Sequence, residues 1–317
     1  MKKRIVVLGM GGTVAGQADL ASDNIAYTAG DLDIESIFKS IPVGDFASYQ
    51  VDTEQVAHID SKDMSLSLLH LLSQKVHTLL CCVDIVGVVI THGTDTLEET
   101  AFFLQEVCNP SKPVVLTCAM RPATSFAPDG PQNILDALTV ASCRDVAGVF
   151  VVCAGRIHLA SRVQKNHPYR LDAFTSGEAG CYGFVEEGRA RFLAHTYGVA
   201  AKREGKSQKI LKWPVSEINW PRVEILMNFV GASGFTVNAL ISQGVDGIVI
   251  AGTGNGTIHH LLQNALLKAQ SLGIAIVISS RCAEGRVLPV PGQPFVDSKG
   301  LTPVKTRIAL ILKLVEQ

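Results

Sequence analysis

Short apolar runs that alternate with amphipathic stretches constrain the fold of this chain more than any other feature. The run Ile85–Ile90 is followed by a polar loop, and apolar residues then recur at Leu97, Ala101, Leu104 and Cys108. A run of this length is typical of a buried strand, and spacings of four, three and four are typical of a helix packed on a sheet. This order predicts a βαβ unit and a parallel sheet.

The same pattern recurs along the chain. We predict further elements at Ile5–Leu8, Pro113–Cys118, Ile134–Ala141 and Val149–Cys153, and in the second half at Val223–Phe229, Gly247–Gly252, Ile274–Ser279 and a C-terminal helix. A chain of 317 residues exceeds the length at which one core usually stops growing, so two domains are expected. The polar, basic stretch from about Ala190 to Glu217 is typical of a linker.

These patterns predict an α/β protein of two α/β domains. The larger N-terminal domain, residues 1–195, would hold a mostly parallel sheet with flanking helices. Residues 196–217 would form the linker, and residues 218–317 a smaller C-terminal α/β domain.

Charge and composition exclude several classes of function. The 28 basic and 29 acidic residues nearly cancel, and no basic run occurs, which argues against a dedicated nucleic-acid or membrane-surface protein. No apolar run approaches the ~18 residues of a membrane-spanning helix. The start, Met1–Leu8, resembles a signal peptide, but glycine ends its apolar core early, so we interpret it as a strand. We therefore expect a small-molecule substrate, with neither nucleic acid nor membrane as partner.

The eight cysteines indicate a reducing environment. None of them forms a C-x-x-C pair, and Cys81 and Cys82 are adjacent, which suits neither a zinc site nor a secreted disulfide framework. We predict reduced, mostly buried thiols in a cytoplasmic protein, and no metal site.

The glycine-rich stretch Val6–Gly16 follows the first predicted strand. Val14 occupies the third glycine position of a dinucleotide-binding loop, and Gln17 and Ala18 stand where a P-loop needs lysine and a hydroxyl. Two interpretations remain: a turn capped by Thr13, or a strand end that presents Thr13 as a hydroxyl nucleophile.

Thr94 also follows a predicted strand. Open parallel sheets bind ligands at the carboxyl ends of their strands, so Thr13 and Thr94 are predicted to face one pocket. A threonine hydroxyl needs a neighbouring base to become a good nucleophile.

Several segments, taken together, resemble the bacterial-type L-asparaginases over nearly the whole chain. They are Gly11–Gly16 (GGTVAG), Tyr27–Gly30 (YTAG), Ser61–Met64 (SKDM), Thr91–Ala101 (THGTDTLEETA), Ala119–Pro122 (AMRP) with Asp129–Pro131 (DGP), and Gly252–Gly256 (GTGNG). The resemblance implies hydrolysis of the side-chain amide of asparagine, and less well of glutamine, without metal or organic cofactor.

The resemblance also implies roles for single residues. Thr13 corresponds to the nucleophile and Tyr27 to its partner on a mobile loop, while Thr94, Asp95 and Lys165 correspond to a second catalytic group. Lysine acts as a base only when neutral, so a buried Thr94–Lys165 pair would suit proton relay. The implied substrate-binding residues are Gly12, Asp60, Ser61, Lys62, Gly93, Thr94, Asp95, Ala119, Met120 and Asn255.

Among the implied contacts, Ser61 would hold the α-carboxylate and Asp95 the α-ammonium of the substrate. Asn255 would reach a neighbouring subunit's site, although a turn explains it equally well. The implied assembly is a homotetramer, a dimer of intimate dimers.

Backbone and helix-start features complete the expected site. The helix after Thr94 would begin with a capping box, either Asp95 with Glu98 or Thr96 with Glu99. Backbone N–H groups around Thr94 would bind developing negative charge.

Two positions depart from the family pattern. Many members carry glutamine or aspartate where this chain has Lys62, which has no acceptor for the substrate ammonium. Lys62 is therefore expected to turn toward the α-carboxylate or to lie along the surface. Several members also supply a glutamate from a neighbouring subunit; Glu284 is the candidate here, and we expect activity without it.

The sequence leaves several functions open. They are an L-asparaginase, a glutaminase-asparaginase of mixed preference, a non-catalytic amino-acid sensor and a subunit of a tRNA-dependent amidotransferase. The presence of Thr13, Thr94, Asp95 and Lys165 together disfavours the sensor, and near-neutral charge disfavours a tRNA partner.

Overall fold

The computed structural model describes residues 2–39, 41, 48–193 and 208–316. The chain divides into two compact units, Met1–Val215 and Ser216–Gln317. Both units are α/β, which confirms the predicted fold class.

The first unit contains helices on a large sheet. Its strands are β1 Lys3–Gly11, β2 Tyr49–Ile59, β3 Ile85–Thr91, β4 Pro113–Thr117, β5 Gly148–Cys153, β6 Arg156–Leu159, β7 Gln164–Lys165, β8 Phe174–Thr175, β9 Gly183–Glu186 and β10 Arg189–Phe192. Its helices are α1 Ile34–Lys39, α2 Leu66–Cys81, α3 Leu97–Cys108, α4 Gly130–Ala141 and α5 Gln208–Leu211, with short 3-10 helices at Thr13–Ala15, Ser61–Asp63 and Gly177–Ala179.

The main sheet has the strand order β10-β9-β6-β5-β4-β3-β1-β2. The strands from β2 to β5 run parallel, and β6, β9 and β10 extend the sheet in antiparallel pairs. The strands β7 and β8 form a separate antiparallel pair.

Alternate residues of β1 explain why helices cover both faces of this sheet. Val6 and Leu8 pack in one cluster with the apolar stripes of α2 and α3. Ile5 and Val7 pack in another cluster, with α1 and α4. A parallel strand buried on both faces needs such a continuous apolar sequence.

The strand order changes direction beside β1. The chain leaves β1 for β2 on one side, whereas it leaves β3, the neighbour on the other side, for β4. Open α/β sheets bind ligands in the crevice at such a switch point, outside the carboxyl ends of the strands.

The second unit holds a smaller parallel sheet. Its elements are β11 Val223–Met227, α6 Phe235–Ser242, β12 Gly247–Gly252, α7 His260–Ser271, β13 Ala275–Ser280, β14 Val296–Asp297 and α8 Pro303–Val315, and a 3-10 helix at Val215–Glu217 precedes them. The four strands lie in sequence order and are all parallel.

The predicted linker differs from the structure at both ends. Arg189–Phe192 forms β10, so the stretch that begins at Ala190 is an edge strand. The helix α5 packs on the first unit, where Ile210 is buried and His70 bonds the Trp213 carbonyl. Residues 194–207 of the predicted linker lie outside the described residues.

The cysteines are less buried than predicted. All eight are free thiols, but only Cys108, Cys118 and Cys153 are buried, and Cys81 and Cys282 are exposed. The buried three belong to one apolar cluster of the first unit, whereas Cys81 ends α2 and Cys282 follows β13. In the described part of the chain, no helix is long and apolar enough to cross a membrane.

Candidate active site

A pocket of about 340 Å³ opens at the switch point between β1 and β3. Its lining combines hydroxyl, carboxylate and ammonium groups with an apolar rim. The lining residues are Gly12, Thr13, Asn24, Ile25, Tyr27, Asp60, Ser61, Gly93, Thr94, Asp95, Met120, Lys165, Pro168 and Tyr169. Thr13 and Thr94 therefore face the same cavity.

Two glycines allow three segments to meet at this point. Gly12 has φ 78°, and a Cβ there would overlap the backbone of Gly93. A Cβ on Gly93 would in turn overlap the side chain of Ser61. Because neither glycine has a side chain, the segments after β1, β2 and β3 contact one another directly.

Thr13 and Tyr27 form the first hydroxyl pair. Thr13 begins the 3-10 helix after β1 and is buried, and its Oγ1 lies 2.6 Å from the Tyr27 hydroxyl. Tyr27 lies on a loop whose ends are joined by reciprocal backbone hydrogen bonds between Gln17 and Thr28. These two hydrogen bonds close the base of the loop and hold the Tyr27 ring beside Thr13.

Thr94, Asp95 and Lys165 form the second group. The Lys165 ammonium donates to Thr94 Oγ1 at 2.8 Å and to Asp95 Oδ1 at 2.6 Å. Lys165 lies on β7, and its backbone N–H donates to the buried Glu98 carboxylate at 3.2 Å. Residues about seventy positions apart in the sequence therefore hold the Lys165 ammonium beside Thr94.

Ser61 and its neighbours form the third side of the pocket. Ser61 Oγ accepts the Asp95 N–H at 3.1 Å, which leaves its own proton to donate. Lys62 is turned outward: its ammonium lies 2.6 Å from Asp60 Oδ2 and 3.2 Å from Asp63 Oδ2. Burial opposes ionisation of Asp60, but the hydrogen bonds from Lys62 outweigh it and hold the pKa of Asp60 below its usual value.

The start of α3 differs from the predicted capping box. Thr96 is the N-cap residue, but its hydroxyl donates to the Ser61 carbonyl at 2.7 Å instead of capping the helix. Asp95 bonds Lys165 and Glu98 bonds the Lys165 backbone. The Asp95 N–H is also taken by Ser61, so this donor is not available to developing negative charge. The polar side chains at the start of α3 therefore bond residues of the pocket instead of capping the helix.

His92 is fully buried and hydrogen-bonds Gly93, which lines the pocket. Its Nδ1 lies 2.8 Å from the Gly93 carbonyl, and its Nε2 lies 3.0 Å from the Thr100 hydroxyl. Burial lowers the pKa of His92 to about 4, although the bond to Gly93 opposes the shift. The ring is therefore neutral at pH 7, with Nδ1 donating and Nε2 accepting.

Two of the substrate contacts expected in this pocket are not among the residues that line it. Lys62 is on the surface, and Ala119 is fully buried in the core. Asn255 belongs to the second unit, where its amide exchanges two hydrogen bonds with the backbone of Leu288, at 2.6 and 3.2 Å. The other residues expected to bind substrate line the pocket.

The sequence did not predict that the buried Glu98 carboxylate accepts the Lys165 backbone N–H. It also did not predict the pocket residues Asn24, Ile25, Pro168 and Tyr169. Glu98 carried a signal, because it stands three and four residues before the apolar Ala101 and Phe102, and a carboxylate on a buried helix face needs a partner. Within the described residues, no group of three or more His, Cys, Asp and Glu side chains is placed to hold a metal ion.

Comparisons with known proteins place this chain among the amidohydrolases. The family model "Asparaginase, N-terminal" matches residues 4–197, and "Glutaminase/Asparaginase C-terminal domain" matches residues 222–317. The chain belongs to the asparaginase family.

Individual relatives cover the chain almost completely. L-asparaginase 2 of Escherichia coli is 36% identical over 98% of this chain and 89% of its own length. Glutaminase-asparaginase of Pseudomonas fluorescens is 33% identical over 98% of this chain and 86% of its own. A crystal structure of a probable cytoplasmic L-asparaginase from Campylobacter jejuni is 35% identical, with a TM-score of 0.89 over 100% of this chain and 96% of that one.

Proposed function

We propose that this protein is an L-asparaginase, which hydrolyses the side-chain amide of L-asparagine to L-aspartate and ammonia. The observation that carries the proposal is the pair of buried threonine hydroxyls, each hydrogen-bonded to a side chain that exchanges protons and both facing one pocket. Asparagine offers that pocket one amide carbon to attack, together with an ammonium and a carboxylate for orientation.

In the first step, Thr13 Oγ1 attacks the amide carbon of the substrate. The Tyr27 hydroxyl at 2.6 Å takes the threonine proton as it passes its own proton to the leaving amide nitrogen, since an uncharged hydroxyl is a weak nucleophile without a base. The C–N bond breaks, ammonia leaves with an added proton, and an aspartyl ester forms on Thr13.

In the second step, water hydrolyses this ester. Lys165 gives a proton to the departing ammonia, and its uncharged amine, 2.8 Å from Thr94 Oγ1, then takes one proton of the attacking water through the Thr94 hydroxyl. The other proton of that water passes to Thr13 Oγ1. The ester C–O bond breaks, aspartate leaves and the Thr13 hydroxyl is restored. Each such participant contributes on the order of 10²–10⁴ in rate.

Charged groups orient the substrate's α-carbon. Asp95 and Asp60 offer carboxylates to the α-ammonium, and the Ser61 hydroxyl donates to the α-carboxylate. Because these contacts select a free amino acid, simple amides are expected to be poor substrates.

A second candidate is a glutaminase-asparaginase of mixed preference. The similarity to the Pseudomonas fluorescens protein of that name favours it. Glutamine differs from asparagine by one methylene, which a pocket discriminates by only about 1–3 kcal/mol. The two candidates therefore share one mechanism.

We propose a cytoplasmic location and a homotetramer, a dimer of intimate dimers, as part of this function. The similarity to the probable cytoplasmic Campylobacter jejuni protein and the free thiols support the location. Exposed apolar side chains of the second unit support the assembly, among them Met227, Phe229, Val230 and Phe235. In such an assembly, Asn255 completes a neighbouring subunit's site.

The decisive experiment measures ammonia release from asparagine and glutamine by the wild type, Thr13→Ala and Thr94→Ala. We expect each variant to lose on the order of 10²–10⁴ in rate. Acid-quenched intact mass spectrometry should show an aspartyl adduct on Thr94→Ala and none on Thr13→Ala. Thr78→Ala, on the exposed face of α2, is the matched control and should match the wild type.

Two results would contradict the proposal. Full turnover by both active-site variants would show that the threonines are not catalytic. Tight asparagine binding without ammonia release by the wild type would favour a non-catalytic sensor.

A further inference from the structure

The turn after β4 brings Met120 into the pocket, and one carboxylate holds this turn. Asp129 Oδ2 accepts the Met120 N–H at 2.9 Å, and Asp129 Oδ1 accepts the Arg121 N–H at 2.9 Å. Two successive backbone donors thus bind the two oxygens of one side chain. Charge-assisted hydrogen bonds of this kind are about twice as strong as neutral ones.

Asn133 fixes this carboxylate in turn. Its Nδ2 lies 3.2 Å from Asp129 Oδ2 and donates to the Cys118 carbonyl at 2.9 Å. Its Oδ1 accepts the Ala154 N–H at 3.0 Å. Asn133 is buried on α4, so it ties that helix to the ends of β4 and β5.

The position of Asp129 makes this use of its carboxylate unusual. Asp129 is the N-cap residue of α4, and an aspartate there normally accepts from the second or third N–H of its own helix, which contributes about 1 kcal/mol. Pro131, at the second position, has no N–H to offer. The carboxylate is turned to the Met120–Arg121 backbone instead. The helix α4 therefore has no side-chain cap, and the turn that carries Met120 into the pocket is held in place.

We infer that Asp129 is a positioning residue for the amide hydrolysis: it acts through the Met120–Arg121 turn and touches no substrate. The inference rests on the proposed function, because it assigns Asp129 a part in that reaction. Holding the turn fixes the pocket wall against the reacting carbon, and small displacements of such a wall lower the rate strongly.

Two substitutions test this role in different ways. Asp129→Asn keeps the shape but turns one acceptor into an NH₂ group that faces a backbone N–H, so one of the two bonds is lost. Asp129→Ser supplies a side chain that caps α4 well but cannot hold both N–H groups. Asp136→Asn is the matched control, because Asp136 lies on the same helix and accepts from Gln132 at 2.8 Å.

The measurement is kcat and KM for asparagine below the melting temperature of each variant. We expect kcat to fall about 10- to 100-fold in both Asp129 variants, with KM within about threefold and the control unchanged, since only the transition state loses alignment. A change confined to kcat in a folded protein distinguishes positioning from a structural role.

Each other result would overturn the inference. A folded Asp129→Ser enzyme with the kcat of the wild type would show that the turn needs no clamp. If neither variant folds, Asp129 is required for the fold itself. A wild type that is inactive on asparagine and glutamine would contradict the proposed function as well as the inference. An active wild type with equally active variants would contradict the inference alone.

Discussion

Lys62 lies beside the pocket without being among the described residues that line it. Its side chain is 61% exposed, and its ammonium is shared between Asp60 and Asp63. The expected repulsion of a substrate ammonium is therefore reduced, because Lys62 points along the surface. What remains is its partial neutralisation of Asp60, which does line the pocket.

We predict that Lys62→Gln lowers KM for asparagine and leaves kcat unchanged. An exposed ion pair contributes about 0.2–1 kcal/mol, so the change should be at most about fivefold. Steady-state kinetics at low salt would measure it, and the difference should shrink in high salt. Lys39→Gln, which removes an exposed lysine paired with Glu35, is the control. An unchanged KM would show that Lys62 does not influence affinity.

At the scale of elements, His92 joins the end of β3 to α3 through Gly93 and Thr100. It must be neutral to make both bonds and to remain buried. Its pKa is about 4 in the folded chain, against an ordinary value of 6.5. The unfolded chain therefore binds the proton first as pH falls, and stability falls with it.

We predict that the stability contributed by neutral His92 is complete above about pH 6.5 and is lost progressively towards about pH 4, a total of about 3 kcal/mol. Urea unfolding near pH 7 and pH 5 would measure the loss. His92→Gln should be less stable near pH 7 but less sensitive to pH, whereas His260→Gln, at an exposed position, should behave like the wild type. Equal pH dependence of His92→Gln and wild type would contradict this assignment.

Long buried elements were predictable from the sequence, and short edge elements were not. The helix α3 and the strand β12 have the predicted bounds, because continuous burial leaves a continuous apolar pattern. The strands β6, β9 and β10 have four residues each, too few for a period of two to be distinguished. In β10 two arginines alternate with apolar residues, which makes an edge strand look like a polar linker.

The candidate site was predictable where chemistry follows a strand directly. Thr13 and Thr94 each come just after a strand of the parallel sheet, so their convergence follows from topology. The place of Lys165 depends on β7, a two-residue strand far along the chain, and only the family resemblance indicated it. Asp129 carries the ordinary pattern of a helix cap, so its use at another segment appears only in three dimensions.

At the scale of the whole molecule, the second unit exposes several large apolar side chains between Met227 and Phe235. Val230 is fully exposed, and Phe235 is 81% exposed. Under the proposed function, we interpret these side chains as part of an association surface. Asn255 also belongs to this unit, so assembly and activity are linked under the proposed function.

We predict that the wild type sediments as a tetramer and that Val230→Asp dissociates it. Burying an unpaired carboxylate in an apolar interface costs roughly 3 kcal/mol or more, which weakens association more than about a hundredfold. Sedimentation and ammonia release would be measured together, and activity should fall with the tetramer. Val83→Asp is the control, at a valine of the first unit that is 84% exposed. A fully active monomeric wild type would contradict the assembly.

The change of direction at β1 also joins two flanks of the sheet that cannot be altered independently. Thr13 follows β1, from which the chain leads to β2, and Thr94 follows β3, from which it leads to β4. Ser61, after β2, accepts the Asp95 N–H, and its carbonyl accepts the Thr96 hydroxyl, so the two flanks are hydrogen-bonded to each other. A loop replacement on one flank is therefore expected to displace the other, and engineering of such a protein has to redesign both together.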